Sequence, residues 1–369
     1  MPDGLAGRIP ARVLMSADAV GGVWRYALDL AAGFAARGVC TVLAVLGPAP
    51  DAGQRREAER VPGLRLVPTG LPLDWTAQTP AELHRASAGL CALAARVGAG
   101  SVHLHAPALV GAEPWPVPVV AVSHSCVATW WRAVRCGAVR TCSPEMPADF
   151  AWRTTAAAEG MRRAAAVVAP SAAHAAALRA VYGPVDVAVI HNGRRPLPPP
   201  RAGRPRERAV FHAGRLWDEG KGVAALDRAA AVLDAPVRAA GPTRGPNGAV
   251  AAFSHLRLLG TLDEVALASE YAGASVFASL ARYEPFGLAV LEAAQSGQAL
   301  VLSDIPTFRE LWDGAALFVP DEAGLVPALR RALDAPDALA AAARERAGRY
   351  TADAMADATL ALHGAVLEV

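Results

Sequence analysis

Short apolar runs rich in β-branched residues alternate with Ala-rich stretches of helical spacing along this chain, and the rhythm runs twice. ARVLMSAD (11–18) reads as a buried strand, a Gly-Gly turn follows, and WRYALDLAAGFAARG (24–38) carries apolar residues at helical spacing up to Gly38. CTVLAVLG (40–47), LRLVPTG (64–70), SVHLHA (101–106), PVVAVSH (118–124), AAAVVAPS (164–171) and VDVAVIHNG (185–193) read as further strands, with a helix over 80–98. Strands separated by helices imply an α/β fold, a parallel doubly wound sheet that takes ligands at the carboxyl ends of its strands.

RRPLPPPRAGRPRER (194–208) breaks the pattern with five prolines and six arginines. Such a stretch reads as an extended, solvated interdomain linker. The rhythm then restarts: AVFHAGRL (209–216), PVRAAGP (236–242), HLRLLG (255–260), ASVFASL (274–280) and QALVLSD (298–304) are strand-like, GVAALDRAAAVL (222–233) is helical, and the tail from Asp337 is helical almost to its end. A length of 369 residues accommodates two such domains. The expected division is a first domain over 1–195, a linker over 196–208, a second domain over 209–349 and a C-terminal helix over 350–369.

Composition excludes several classes. With 53% hydrophobic and 19% charged residues the chain is not largely disordered. A formal charge of +2 gives no reason to expect nucleic acid. No apolar run reaches the roughly 18 residues of a spanning helix, and the N-terminus lacks the charged head and apolar stretch of a secretory signal. Five cysteines (Cys40, Cys91, Cys126, Cys136, Cys142) without a Cys-x-x-Cys read as reduced thiols of a cytoplasmic protein. Lys221 is the single lysine beside 35 arginines, and Asn192 and Asn247 are the two asparagines. Under a bias toward Arg and Ala, such survivors point to positions where substitution fails chemically.

Lys221 lies in Gly214-Arg215-Leu216-Trp217-Asp218-Glu219-Gly220-Lys221-Gly222, directly after a strand and before a helix. Turn glycines let backbone approach a ligand, and a helix start presents free N–H groups to anions. Arg215 and Lys221, six positions apart, can converge on one diphosphate. The alternative is a solvated surface turn; a P-loop is excluded by spacing. The second constellation is Tyr283-Glu284-Pro285-Phe286-Gly287-Leu288-Ala289-Val290-Leu291-Glu292-Ala293, a loop entering a helix expected to start near Phe286. That helix is apolar on nearly every side and should be buried. Glu292 inside it needs a partner. A ribose diol would supply two hydroxyl donors, and an ion pair with an arginine elsewhere in the chain is the alternative. Glu284 is expected at the mouth, beside the helix start.

E-P-F-G-x-x-x-x-E after a strand, preceded by G-R-x-x-x-x-K-G, resembles the retaining GT-B nucleotide-sugar glycosyltransferases, specifically glycosyltransferase family 4. Gly21-Gly22-Val23 after the first strand is similar to the family's Gly-rich loop, His124 stands where members carry an active-site histidine, and Ile190-His191-Asn192-Gly193 closes the first domain. The resemblance implies two Rossmann-like domains facing each other across a cleft, acceptor on the first and donor on the second, with the last helix returning to the first domain. It implies that Arg215 and Lys221 hold the diphosphate of a UDP-, GDP- or ADP-sugar and that Glu292 binds ribose. Glu284 would take the sugar hydroxyls, while Gly214 and the backbone of Phe286, Gly287 and Leu288 cradle phosphate and sugar. Gly22 and Asn192 would lie toward the donor, and His124 would position donor sugar and acceptor. A hexose would move with retained configuration by same-face attack of an acceptor hydroxyl, the departing phosphate taking the proton. No Asp-x-Asp occurs, in keeping with an enzyme that needs neither metal nor other cofactor.

Other signals are less specific. His103 and His105 alternate in a strand; metal binding would need a third ligand, so a place near the acceptor is the simpler reading. Trp130, Trp131, Arg132, Arg135 and Arg140 could form a peripheral contact with the inner membrane surface or pack internally. From Trp130 to Arg208 there are 13 arginines against five acids. Two rivals to the transferase remain: a sugar-nucleotide epimerase of the same shape and a non-catalytic sugar-nucleotide-binding protein. Base, sugar, acceptor and oligomeric state are not written in the sequence.

Overall fold

The computed structural model describes residues 9–136, 146–200, 205–246 and 248–368. Arg140, Cys142 and Asn247 therefore lie outside the described residues, as does part of the Pro/Arg-rich segment. The chain separates into two compact units: Met1–Arg132 with Arg140–Gly193 and Ala352–Val369, and Ala133–Val139 with Arg194–Thr351.

In the first unit the strands are β1 (Arg12–Asp18), β2 (Cys40–Leu46), β3 (Leu64–Pro68), β4 (Ser101–Leu104), β5 (Val119–Val122), β6 (Ala166–Ala169) and β7 (Ala188–Val189). They pair in parallel in the order β3-β2-β1-β4-β5-β6-β7. The intervening helices are α1 (Gly22–Ala36), α2 (Ala52–Glu59), α3 (Pro80–Arg96), α4 (Val127–Trp131), α5 (Ala148–Arg163) and α6 (Ala172–Tyr182). Both faces of the sheet are covered, which is why its strands read as unbroken apolar runs. Leu14, Val42 and Leu104 pack with Leu90 of α3 on one face. Val13, Met15 and Leu43 pack with Leu30 and Phe34 of α1 on the other. Full burial of each such side chain stabilises by about 1.5–3 kcal/mol. Strand order reverses between β1 and β4, so loops leaving those strands diverge and open a crevice at their carboxyl ends.

The second unit repeats the plan. Strands β8 (Glu207–Ala213), β9 (Val237–Ala240), β10 (Arg257–Gly260), β11 (Ala274–Ser279), β12 (Ala299–Ser303) and β13 (Leu317–Val319) pair in parallel in the order β10-β9-β8-β11-β12-β13. Its helices are α7 (Val223–Ala230), α8 (Glu264–Gly273), α9 (Leu288–Gln295), α10 (Pro306–Trp312), α11 (Leu325–Asp334) and α12 (Pro336–Ala347). Phe211, Phe277, Leu291 and Trp312 fill one face, Val210, Val276, Leu226 and Leu329 the other. Here the order reverses between β8 and β11.

The helical tail is interrupted at 348–351 and resumes as α13 (Ala352–Leu367), which belongs to the first unit. A Cβ on Gly33 would stand 2.5 Å from Ala356 Cβ, so only glycine lets α1 and α13 approach this closely. Arg37 clamps the same helix, with Nε 2.6 Å from Asp357 and Nη1 3.3 Å from Asp353.

Two expectations need correction. Residues 194–208 are not uniformly solvated: Arg194 is only 4% exposed, and Arg206 donates to the carbonyls of Ser296 and Gly297. Unpaired backbone carbonyls at the end of α9 recruit the guanidinium of Arg206. The helix after the Pro-Phe-Gly turn begins at Leu288, not near Phe286, because Gly287 adopts φ +96°, a left-handed conformation outside the helix.

Candidate active site

The two motifs of the second unit meet at its reversal point. The loop Gly214–Gly222 leaves β8, and the loop ending at Gly287 leaves β11. The backbone carbonyl of Gly220 accepts hydrogen bonds from the N–H groups of Arg282 (2.8 Å) and Tyr283 (3.2 Å), so the loops are joined. Gly222 has φ +66°, and a Cβ there would lie 2.0 Å from the Leu280 carbonyl oxygen. Both conformation and space demand glycine.

Within this frame Lys221 Nζ lies 2.6 Å from Glu284 Oε2, and both side chains are 16% exposed. Arg215 Nη2 lies 2.8 Å from Asp218 Oδ2, with the Arg215 side chain 40% exposed. Asp218 also accepts from the Gly220 N–H at 2.9 Å, which shapes the single 3₁₀ turn Glu219–Lys221. Phe286 is buried against Tyr350, ring centroids 5.6 Å apart and perpendicular. Helix α9 starts without a side-chain cap; the N–H groups of Val290 and Leu291 donate to the Gly287 carbonyl at 3.1 Å, and those of Leu288 and Ala289 stand ahead of the first intrahelical bond, where a helix start receives an anion. An anion has cations and amides converging here.

Glu292, one turn further along α9, is 7% exposed. Arg194 Nε donates to its Oε1 at 2.8 Å, and the Tyr271 hydroxyl donates to its Oε2 at 3.0 Å. The arginine partner that the sequence left as an alternative is thus present. Burial, followed by the neighbouring Glu292 carboxylate, raises the Tyr271 phenol well above its ordinary pKa.

His212 on β8 is a further group beneath these loops. Its Nδ1 contacts the Ala278 carbonyl at 2.8 Å, and its buried Nε2 has no hydrogen-bond partner among the described residues. Burial, the largest cause, pulls its pKa down to about 4.

In the first unit, Gly22 opens α1 after the loop that Asp18 shapes by accepting from the N–H groups of Val20 (2.8 Å) and Gly21 (3.0 Å). His124 follows β5, its ring 4.3 Å from that of Tyr26 and 5.1 Å from that of His105. Burial first, and His174 second, take its pKa down to about 3, so the imidazole is neutral at pH 7. Asn192 is buried after β7. His103 joins a buried chain in which Ser101 Oγ contacts His363 Nδ1 at 2.6 Å and His363 Nε2 contacts His103 Nδ1 at 3.1 Å. Among the described residues no group of three or more His, Cys, Asp and Glu side chains could hold a metal ion. Trp130 and Trp131 both lie edge-on to Phe150, at 6.3 and 5.6 Å.

Gly214, Arg215, Lys221, Glu284, Phe286, Gly287, Leu288 and Glu292 therefore gather at one strand end of the second unit. Gly22, His124 and Asn192 belong to the first. Arg194, Tyr271, Asp218 and His212 were not singled out from sequence. Asp218 lay within the quoted motif, and Arg194 directly follows Asn192-Gly193; Tyr271 carried no signal.

Two parallel Rossmann-like units of this order, the second with a basic and acidic cluster at its reversal point, define the GT-B class. Residues 20–196 match the family model Glycosyltransferase Family 4, and residues 207–335 match Glycosyl transferases group 1. The chain belongs to the GT-B glycosyltransferases of the family 4 type. It is 38% identical to glycogen synthase of Mycobacterium tuberculosis (strain H37Rv) over 101 residues, 26% of this chain and 24% of that protein. It thus spans about a quarter of the length of that curated relative. Sucrose-phosphate synthase from Thermosynechococcus elongatus shares the fold with TM-score 0.76 and 19% identity, over 95% of this chain and 98% of that one. Anabaena Alr3699/HepE, solved in complex with UDP and glucose, gives 0.68 and 16% over 95% and 98%. WaaG, a glycosyltransferase involved in lipopolysaccharide biosynthesis, gives 0.68 and 15% over 95% and 99%.

Proposed function

We propose that this chain moves a hexose-type sugar from a nucleoside-diphosphate donor to an acceptor hydroxyl with retained configuration. The observation that carries the reading is the Lys221–Glu284 pair beside Arg215 at the uncapped start of α9. As the glycosidic bond breaks, negative charge develops on the leaving diphosphate. The Lys221 ammonium and the Arg215 guanidinium, already placed, stabilise that charge without reorganising. The amides of Phe286 to Leu288, with Gly214, cradle phosphate and sugar, Glu284 accepts from sugar hydroxyls, and Glu292 accepts from ribose. These cations take the part a divalent metal plays elsewhere, so we assign no metal or other cofactor. The acceptor hydroxyl attacks from the face the diphosphate leaves, and a diphosphate oxygen takes its proton.

The same reading assigns the acceptor to the first domain (1–195), the donor to the second (209–349), a linker to 196–208 and a returning helix to 350–369. Gly22 and Asn192 then serve the donor. A neutral His124 suits hydrogen bonding to a hydroxyl better than charge stabilisation, so we give it a positioning role. HepE in complex with UDP and glucose supports a UDP-sugar among candidates that also include GDP- and ADP-sugars.

Among the described residues no helix is long and apolar enough to cross a membrane. We place the protein in the cytoplasm. The packing of both tryptophans on Phe150 favours the internal reading of that stretch. Flotation with anionic vesicles would instead favour a peripheral membrane contact.

The test is nucleotide release from a panel of UDP-, GDP- and ADP-sugars, with and without hydroxyl acceptors. Acceptor-dependent release of one nucleotide, with the sugar transferred, is the expected result. Conversion of a donor without acceptor would mark an epimerase, and binding without turnover a non-catalytic protein.

A further inference from the structure

Arg194 opens the Pro/Arg-rich run, yet its side chain is 3% exposed. Its backbone is fixed at two points: the N–H donates to the Tyr350 carbonyl at 3.2 Å, and the residue forms a bridge with Thr351. From this anchor the guanidinium Nε reaches Glu292 Oε1 at 2.8 Å, while Nη2 lies 3.8 Å from Glu264 Oε1. On the other carboxylate oxygen, the fully buried Tyr271 donates to Oε2 at 3.0 Å, its ring held edge-on by Phe211 at 5.1 Å.

Among the described residues each oxygen of Glu292 thus has one donor. A carboxylate oxygen has two acceptor sites, so one remains on each. Two remaining sites on one immobilised carboxylate match the two hydroxyls of a vicinal diol. Were the carboxylate free to rotate, the pair would lose its fixed aim. Supporting groups of this kind set how well a directly binding group reads its ligand.

We propose that Arg194 and Tyr271 are positioning residues that hold the Glu292 carboxylate so that it reads the vicinal diol of the donor ribose. The inference rests on Glu292 as the ribose-binding residue. Arg194 supplies the fixed direction and the compensating charge for a buried carboxylate. Tyr271 supplies the second hydrogen bond.

The experiment is isothermal titration of the full chain with UDP, GDP and ADP, then of the tightest binder against its 2′-deoxy form. Wild type should prefer the ribonucleotide by about tenfold, the worth of one well-placed hydrogen bond to a charged group. Tyr271→Phe, which keeps the ring, should lower that preference about threefold or more, with little change for the 2′-deoxy form. Arg194→Lys should retain more of it than Arg194→Met, with thermal unfolding of each variant recorded alongside. If Tyr271→Phe and Arg194→Met both keep the wild-type preference, or weaken the two nucleotides equally, the positioning role is overturned. Glu292→Gln separates the two levels. Loss of the preference in Glu292→Gln alone sinks only the roles of Arg194 and Tyr271. A preference that survives Glu292→Gln, or a chain that binds none of the three nucleotides, sinks the ribose reading itself.

Discussion

Lys221 and Glu284 come from loops 63 residues apart in sequence, yet their charged atoms lie 2.6 Å from one another at the point where strand order reverses. The joined loops beneath them and the glycine at 222 make the contact a property of the fold. If Lys221 stabilises the leaving diphosphate, Lys221→Ala should lower kcat by about 10²–10³-fold, the usual cost of one preorganised electrostatic contact. Lys221→Arg should recover little, because a planar guanidinium does not fit where a compact ammonium sits. Steady-state kinetics with the donor found by the release assay reads both. Near-wild-type turnover of Lys221→Ala contradicts the role.

The two glutamates should separate in kinetics. Glu292→Ala should raise the donor KM and weaken the free nucleotide in parallel, leaving the ranking of sugars unchanged. Glu284→Gln should leave nucleotide affinity nearly intact and lower kcat with the sugar donor. Titration with the nucleotide beside turnover of the sugar nucleotide reads both effects, and the reverse pattern would exchange the assignments.

Gly222→Ala should destabilise the protein far more than Gly314→Ala. Both glycines have positive φ (+66° and +76°), but the added Cβ meets the Leu280 carbonyl at 2.0 Å in the first case and nothing within 4 Å in the second. Backbone conformation alone costs about 1 kcal/mol, so Gly314→Ala should show that much and Gly222→Ala clearly more. Urea denaturation of the two variants measures the difference. Equal losses would mean that the joined loops yield freely.

Stability should fall as pH drops below about 6.5. Burial is the largest cause that lowers the pKa of His363, His174 and His212 to about 4 and of His124 to about 3, and it also lowers His103 and His105. All six are neutral in the folded state while the unfolded chain takes up protons near pH 6.5. Their contribution is complete above that value and is lost progressively down to the folded values. Asp74, raised to about 6 chiefly by burial, acts in the opposite sense, since the folded state takes its proton first. One group against six leaves the net slope toward acid destabilisation. Urea midpoints should stay nearly level from pH 7.5 to 6.5 and decrease from there to pH 4.5; a flat profile down to 4.5 would mean that the imidazoles are hydrated in solution.

Strands were legible because burial on both sheet faces leaves unbroken apolar runs, as in β1 and β11. Helix α2 was not: its sequence, AGQRREAE, buries only Ala58, so no apolar periodicity marks it, and the Asp51–Gln54 capping box is its main signal. The three-residue β13 is too short to stand out. The site shows the same division. Lys221, Glu284 and Glu292 announce themselves by spacing within contiguous motifs. Arg194 meets Glu292 across 98 residues and starts a segment whose prolines and arginines read as solvated. Only tertiary packing shows that this arginine is buried. Tyr271 sits in α8 like any core tyrosine, and its hydroxyl gains meaning only once Glu292 is placed.

The most direct test of the account is the structure of the protein with its donor nucleotide bound. The diphosphate should lie within hydrogen-bonding distance of Lys221 Nζ and the Arg215 guanidinium, with the ribose hydroxyls on the Glu292 carboxylate. A nucleotide bound elsewhere, or one whose phosphates touch neither cation, would contradict it.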